Sequence, residues 1–256
     1  MSRFAVVGDP TAHSKSPKMH AVAYAALGLP HTYEAIRATE RDLPAVIARL
    51  RAGDFAGLNV TVPHKVRVID LVDDVASSAA AVSAANTLVR DAAGKITAHN
   101  TDVPALAAEI ELLAPERSGA ALVLGTGGAS RAAVAALRDH LRMARVLVRG
   151  RPLVSDPAVE REVSIIVQTT SCGMTGADSG EIAANAVAWD ALPSSAVALD
   201  VVYAPTETPF LLAARKRGLR AANGLGMLAR QGALAFELWL GRPAPFDEML
   251  SALLSP

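Results

Sequence analysis

Apolar positions along the chain switch between strand-like runs and helix-like stripes. Residues 4–8 form a short β-type run. Ser16-Pro17 then opens a helix, with Ser16 as N-cap and Pro17 at the first helical position, ending near Gly28. Residues 31–36 read as a second strand, and 43–50 as a helix stopped by Gly53. Residues 58–62 make a third strand closed by Pro63, followed by a polar–apolar helix to about Val72. Residues 86–90 and 95–99 predict a hairpin around 91–94. Strands alternating with helices predict an α/β fold with a mostly parallel sheet covered on both faces.

A second βαβ series begins near Asp102. Leu106, Ile110 and Leu113 share one helical stripe. Residues 120–124 are continuously apolar, as a central parallel strand requires, and run into Gly125-Thr126-Gly127-Gly128-Ala129-Ser130. A helix with Val134, Leu137 and Leu141 on one face follows, then strands at 145–148, 165–167 and 197–201. A final helix over 226–240 carries Met227, Gln231, Leu234 and Leu238 on one stripe, so Gln231 is an amide in an apolar row that wants hydrogen-bond partners. No polar linker separates the two series. The expected organisation is one domain of residues 1–102 plus 226–256, with the last helix packing back on it, and a second of residues 103–225.

Composition narrows the function classes. With 25 Lys+Arg against 25 Asp+Glu in 256 residues, the chain has no basic surplus for gripping nucleic acid. One cysteine excludes a disulfide framework and a cysteine-rich zinc site, and fits a reducing, cytoplasmic setting. No apolar run approaches the length of a membrane span, and the opening residues lack the pattern of a signal peptide. The six histidines show no ligand spacing, so no metal is expected. The cations are 20 Arg and only 5 Lys, which draws attention to each lysine as a titratable point charge.

The glycine loop lies between an apolar strand and an amphipathic helix, the context that makes a dinucleotide fingerprint credible. Gly125 allows the tight turn, and Gly127 lets backbone approach a pyrophosphate at the helix N-terminus. Ser130 replaces the third glycine and is small enough for close packing. The next strand ends in Arg149-Gly150-Arg151 where an NAD site would carry Asp or Glu. Arginine accommodates a 2′-phosphate, which points to NADP.

In the first domain, Ser14-Lys15-Ser16-Pro17 follows the first strand. Asn59 and Thr61 share one face of a strand whose faces should both be apolar, so they need partners or a ligand. Lys65 follows at the carboxyl end, where ligands bind open parallel sheets. Asn86-Thr87 and Asn100-Thr101-Asp102 add polar groups at element ends, although Asp102 ahead of Pro104 also reads as a helix N-cap.

These residues resemble the shikimate dehydrogenase family. The matching stretches are His13 through Pro17, Asn59 through Lys65, Ala85-Asn86-Thr87, Asn100-Thr101-Asp102, the glycine loop, Thr170 through Met174, Asp200-Val201-Val202-Tyr203, and Asn223 through Gln231. The resemblance implies a substrate domain and a Rossmann-like NADP domain. It implies reversible reduction of 3-dehydroshikimate to shikimate on the route to aromatic amino acids. Ser14 and Ser16 are then expected to hold the substrate carboxylate. Asn59, Thr61, Asn86, Tyr203 and Gln231 are expected to bind the carboxylate or ring hydroxyls. Lys65 and Asp102 are the expected catalytic pair. The amides of Gly125, Thr126, Gly127, Gly128 and Ala129, with Arg149, Gly150 and Arg151, are expected at the cofactor phosphates, and Val201 and Gly224 at its nicotinamide end.

The chemistry is coherent with that assignment. As hydride reaches a ketone carbon, negative charge grows on oxygen, and a lysine ammonium can stabilise it and donate a proton. A carboxylate beside the lysine orients it. The chain departs from the family in its short link over 150–163, near the dozen-residue minimum for a crossover, and in Cys172, where the family often has Ser. His64 beside Lys65 is expected to wall a pocket. Two alternatives remain open at this level: a quinate/shikimate dehydrogenase preferring NAD, and a non-catalytic NADP or shikimate sensor. The expected partners are small molecules only, with the protein a monomer or homodimer.

Overall fold

The computed structural model describes residues 1–116 and 118–255. It divides into two compact units, Met1–Asp102 with Leu228–Pro256, and Val103–Met227.

The first unit is built on β1 (Arg3–Gly8), α1 (Ser16–Ala26), β2 (Thr32–Arg37), α2 (Leu43–Ala52), β3 (Gly57–Val60), β4 (Asp74–Val75), α3 (Ser77–Ala80), β5 (Thr87–Arg90) and β6 (Ile96–His99). Its sheet has the order β2-β1-β3-β5-β6-β4. β1 pairs in parallel with both β2 and β3, whereas β5 runs antiparallel to β3 and to β6. The sheet is therefore mixed, with the expected hairpin inserted into it. Period-two alternation sends Ala5 and Val7 to one face, into a core with Leu43, Ile47 and Leu50 of α2 and Leu58, Leu88 and Ile96.

The second unit contains α4 (Asp102–Leu113, whose first residue belongs to the first unit), β7 (Ala120–Leu124), α5 (Gly128–Ala135), β8 (Arg145–Arg149), α6 (Pro157–Glu160), β9 (Val163–Gln168), α7 (Gly180–Ala184), β10 (Val197–Asp200), α8 (Pro209–Lys216) and β11 (Arg220–Ala222). All five strands are parallel, in the order β11-β10-β9-β7-β8. Ala120, Leu122 and Leu124 face a core shared with Phe210, Leu211 and Ala214 of α8. The chain leaves β7 toward β8, then returns past it to β9, so the glycine loop after β7 stands at a topological switch point of a Rossmann-like sheet. The short β8–β9 link contains only the single turn α6.

α9 (Leu225–Leu240) and α10 (Phe246–Leu254) complete the chain, and residues from Leu228 onward pack on the first unit. Trp239 stacks on Phe4 at 4.8 Å between ring centroids and donates its indole N–H to Leu88 O at 3.0 Å. Lys15 Nζ donates to Leu253 O near the end of α10, at 3.1 Å. The buried face of α9 differs from the expected stripe. Leu238 is exposed, and Ala229, Ala235 and Phe236 are buried instead. Small residues on that side let the helix come close to the aromatic layer around Phe4, Tyr24 and Trp239.

Two other expectations are corrected. Ser16 is the first residue of α1 rather than its cap, and its N–H donates to Ser14 Oγ at 3.3 Å. No α-helix follows Pro63; a 3₁₀ turn covers only Arg67–Leu71. The carbonyl of Lys65 accepts the N–H of Ala85 at 2.7 Å, so it does not serve residue 69 as a helical ladder requires.

His20 is wholly buried, stacked on Tyr33 at 4.3 Å, and neither ring nitrogen has a partner among the described residues. Burial pushes its pKa down to about 3. The unfolded chain therefore takes up a proton near pH 6.5 that the folded chain refuses, and stability falls as pH drops below that value. The slope is about 1.4 kcal/mol per pH unit. His20→Phe should remove this slope. Urea unfolding should show the variant gaining on the native protein between pH 6.5 and 5; a constant difference over that range refutes the assignment.

Candidate active site

Three neighbouring strands of the first unit bring their functional ends to one edge of the sheet. Lys65 lies beyond the carboxyl end of β3. Because β5 is antiparallel, its start, preceded by Asn86, lies at the same edge, and β6 ends there ahead of Asp102. Lys65 Nζ donates to Asp102 Oδ2 at 2.8 Å, and Asn86 Nδ2 donates to Asp102 Oδ1 at 2.8 Å. The Asp102 side chain is 2% exposed and that of Lys65 15%. Both oxygens of the buried carboxylate are thus occupied by donors, while the ammonium keeps N–H capacity for a ligand. The Asp102 N–H donates to Asn100 Oδ1 at 3.0 Å.

The turn carrying Lys65 is tied down from both sides. His64 is buried, with Nε2 at 2.7 Å from Ala38 O, and its N–H donates to Thr61 O at 2.9 Å. The Ala85 N–H holds the carbonyl of Lys65.

Asn86 is a hub rather than a free amide. Besides Asp102, its Nδ2 donates to Thr101 Oγ1 at 2.9 Å and reaches Gln231 Oε1 at 3.3 Å; its Oδ1 accepts the Thr101 N–H at 2.7 Å. Gln231 donates from Nε2 to Leu228 O at 2.8 Å. Asn59 is similarly engaged, donating to Asn86 O and Thr87 Oγ1, each at 3.1 Å, and accepting from Tyr33 Oη at 2.7 Å. Both amides organise the site from within. Thr61 is half-buried just beyond β3, and Ser14 and Ser16 lie at the start of α1. Tyr33 had no signal in the sequence beyond its place in a strand. Thr87, Asn100 and Thr101 are legible as polar residues at element ends, but not as the scaffold of Asp102.

In the second unit, Gly125 adopts φ +114°, open only to glycine, and turns the chain from β7 into α5. Ser130 Oγ donates to Gly125 O at 2.8 Å, closing the loop from below. Gly127 is the cap of α5, so the first amides of that helix lack internal partners and suit a phosphate. Across the sheet edge, Gly224 packs against the end of β10: a Cβ there would lie 2.1 Å from Val201 O, and the Gly224 N–H donates to Val202 O at 3.2 Å. Tyr203 is half-buried on the segment after β10. The residues present therefore fit a dinucleotide by backbone geometry. Arg149 ends β8 and turns inward to Glu160, while Arg151, two residues beyond the strand, pairs with Asp178 at the surface.

No helix among the described residues is long and apolar enough to cross a membrane. No three His, Cys, Asp or Glu side chains gather as a metal site among them.

A sheet edge carrying a buried Lys–Asp pair, and a parallel sheet with a phosphate-ready glycine loop, define the architecture of a nicotinamide-dependent oxidoreductase. Residues 6–88 match the family model described as the shikimate dehydrogenase substrate binding domain, and 224–254 that of the shikimate 5'-dehydrogenase C-terminal domain. The "Shikimate dehydrogenase (NADP(+))" of Methylobacterium radiotolerans is 39% identical over 98% of this chain and 95% of its own. Among solved structures, a Thermus thermophilus shikimate 5-dehydrogenase in complex with NADP(H) and shikimate has TM-score 0.85, 34% identity and 99% coverage of both chains. An Aquifex aeolicus shikimate dehydrogenase has TM-score 0.89 at 30% identity, covering 100% of this chain and 98% of that one. The chain belongs to the shikimate dehydrogenase family.

Asp200, at the end of β10, is buried and accepts from Thr208 Oγ1 at 2.6 Å, Val202 N at 2.9 Å and Gln168 Nε2 at 3.2 Å. Burial outweighs these bonds and raises its pKa to about 6. An acid whose folded pKa is raised stabilises the fold below the unfolded value, and that contribution is lost as pH rises through 6. The native protein should lose on the order of 3 kcal/mol from this group between pH 4 and 7. Asp200→Asn should flatten this component in denaturant titrations; an unchanged pH profile would contradict it.

Proposed function

We propose that the protein is an NADP-dependent shikimate dehydrogenase, reversibly reducing 3-dehydroshikimate to shikimate in aromatic amino acid biosynthesis. The observation that carries this reading is the Lys65–Asp102 pair at 2.8 Å, buried on the carboxylate side and open on the ammonium side. NADPH supplies the hydride.

Lys65 directs an N–H at the oxygen of the reacting ketone, stabilises the charge that develops there, and gives up the proton. In the oxidative direction its neutral amine takes the proton back. Asp102, held by Asn86 and by the N–H bond to Asn100, fixes where the ammonium stands. Arginine could not fill the role of Lys65, because a guanidinium does not give up its proton in proteins.

Ser14 and Ser16 are the proposed holders of the substrate carboxylate, with Thr61, Tyr203 and Gln231 at the ring hydroxyls. Asn59 and Asn86 support them through the network above. The amides of the Gly125–Ala129 loop take the pyrophosphate. Val201 and Gly224 border the nicotinamide, and a cation among Arg149-Gly150-Arg151 answers the 2′-phosphate. The partners are small molecules, with the chain working as a monomer or homodimer. The single cysteine, Cys172, buried and unpaired, suits a cytoplasmic enzyme.

The direct test follows NADPH absorbance with 3-dehydroshikimate. Turnover with this pair, exceeding that with 3-dehydroquinate or NADH, supports the reading; none refutes it. Lys65→Ala should lower kcat by about 10²–10⁴-fold with a smaller effect on KM. A variant with native kcat would remove Lys65 from the proton-transfer step.

A further inference from the structure

α10 is fastened at both ends to residues that adjoin the proposed substrate holders. It packs against α1 within the first unit. The last carbonyls of a helix have no partners inside it and must find donors elsewhere. At the end of α10 two lysines supply them. Lys15 Nζ donates to Leu253 O, and Lys18 Nζ donates to the carbonyl of the cap residue Ser255, each at 3.1 Å. A cation at this end also complements the partial negative charge of the helix dipole. Two of the five lysines in the chain are thus directed at one helix end.

Lys15 stands between Ser14 and Ser16, the proposed holders of the substrate carboxylate. Its backbone belongs to their turn. The Ser14 N–H donates to Thr11 O at 3.0 Å, the Ser16 N–H to Ser14 Oγ at 3.3 Å, and the Lys15 carbonyl accepts the Met19 N–H at 3.1 Å. The Lys15 side chain leaves that turn for a carbonyl 238 positions away in sequence. At the other end of α10, the Arg230 guanidinium lies over the Phe246 ring, 4.9 Å from its centroid. Arg230 precedes Gln231 on α9, and Gln231 joins the Asp102 network through Asn86. α10 therefore runs from the neighbour of one proposed substrate holder to the neighbour of the others.

We propose that Lys15 is a positioning residue for substrate. By gripping the end of α10 it fixes the serine turn in the geometry that accepts a carboxylate, and α10 is the brace between that turn and Gln231. The inference rests on the substrate reading above and adds a residue that acts on substrate affinity rather than on hydride or proton transfer. Coupling of this kind is reciprocal. If α10 steadies the turn, a carboxylate held by Ser14 and Ser16 steadies α10, and local opening of its last turn becomes rarer.

The test combines steady-state kinetics with hydrogen exchange on the intact protein. Native protein without turnover of 3-dehydroshikimate and NADPH defeats the substrate reading itself; the remaining outcomes concern Lys15. Lys15→Met removes the charge and the donor but keeps most of the stem. It should raise KM for 3-dehydroshikimate about 5–20-fold, the loss of a partly exposed charge-assisted bond, with kcat and the KM for NADPH within about twofold of native. Lys15→Arg, which still brings a cation to the helix end, should recover most of this loss. Lys18→Met releases the Ser255 carbonyl without touching the serine turn and should leave KM within about twofold. In the native protein, saturating shikimate should slow amide exchange in the last turn of α10 several-fold, and Lys15→Met should abolish that protection. The native exchange measurement needs no variant, so it decides the matter even if Lys15→Met does not fold. The proposal is overturned if Lys15→Met keeps the native KM or loses kcat instead, if Lys15→Arg is equally impaired, if Lys18→Met raises KM as much, or if shikimate leaves exchange at the end of α10 unchanged.

Discussion

The first unit is organised around a carboxylate that has been taken out of water. A buried Asp102 is tolerable only if its charge is met by donors on both oxygens. Lys65 and Asn86 meet it, and each must in turn be held. That requirement explains an otherwise odd feature of the sheet, the antiparallel β5–β6 hairpin beside parallel β3. In a wholly parallel arrangement the start of β5 would lie at the far edge, and Asn86 could not reach the end of β6. The hairpin turns it round, so that three separate stretches of sequence converge on one carboxylate. The ammonium is fixed by the ion pair without being consumed by it, since a lysine has three N–H groups and Asp102 takes only one of them in the structure.

The second unit solves a similar problem for backbone segments. Asp200 at the end of β10 binds the Val202 N–H, the Thr208 hydroxyl and the Gln168 amide. It thereby ties the segment bearing Val201 and Tyr203 to the end of β9. Burial disfavours its charge, yet the three bonds order a loop whose backbone must stand close to Gly224. Parallel strands place every carboxyl end at the same edge. The glycine loop, the arginine-bearing strand end and the Asp200 loop therefore share it without further design.

Most strands were legible because a buried parallel strand is a run of apolar residues with no competing interpretation, as at 120–124. Lys65 and Asp102 were legible as polar groups at element ends. Their partners were not. Sequence tells which edge of a sheet a side chain occupies, not which groups saturate it there. Asn59 shows the difference: its alternation correctly sets it among polar neighbours, but Tyr33, Thr87 and the carbonyl of Asn86 already use its amide. The expected helix after Pro63 failed for a related reason. Ala85, twenty residues away, takes the carbonyl that the helix would have needed. Arg149 and Arg151 have the same chemistry and nearly the same position, and only the burial of Glu160 separates them.

The zero net charge of the chain takes on a local meaning in this light. Three cations among the proposed site residues already have an anion: Lys65 with Asp102, Arg149 with Glu160 and Arg151 with Asp178. A chain with no positive surplus recognises anionic ligands locally, through hydroxyls, backbone amides and what each pair leaves available. Three pairs of identical formal charge are separated by burial alone. Where the carboxylate is fully buried and the cation 12% exposed, as for Glu160 and Arg149, the pair holds the β8–β9 link in place. Where the carboxylate is buried and the cation partly open, the cation can add a ligand without losing its partner, the condition a proton donor requires. Where both are exposed, as for Arg151 and Asp178, the pair contributes little and its partner can be exchanged.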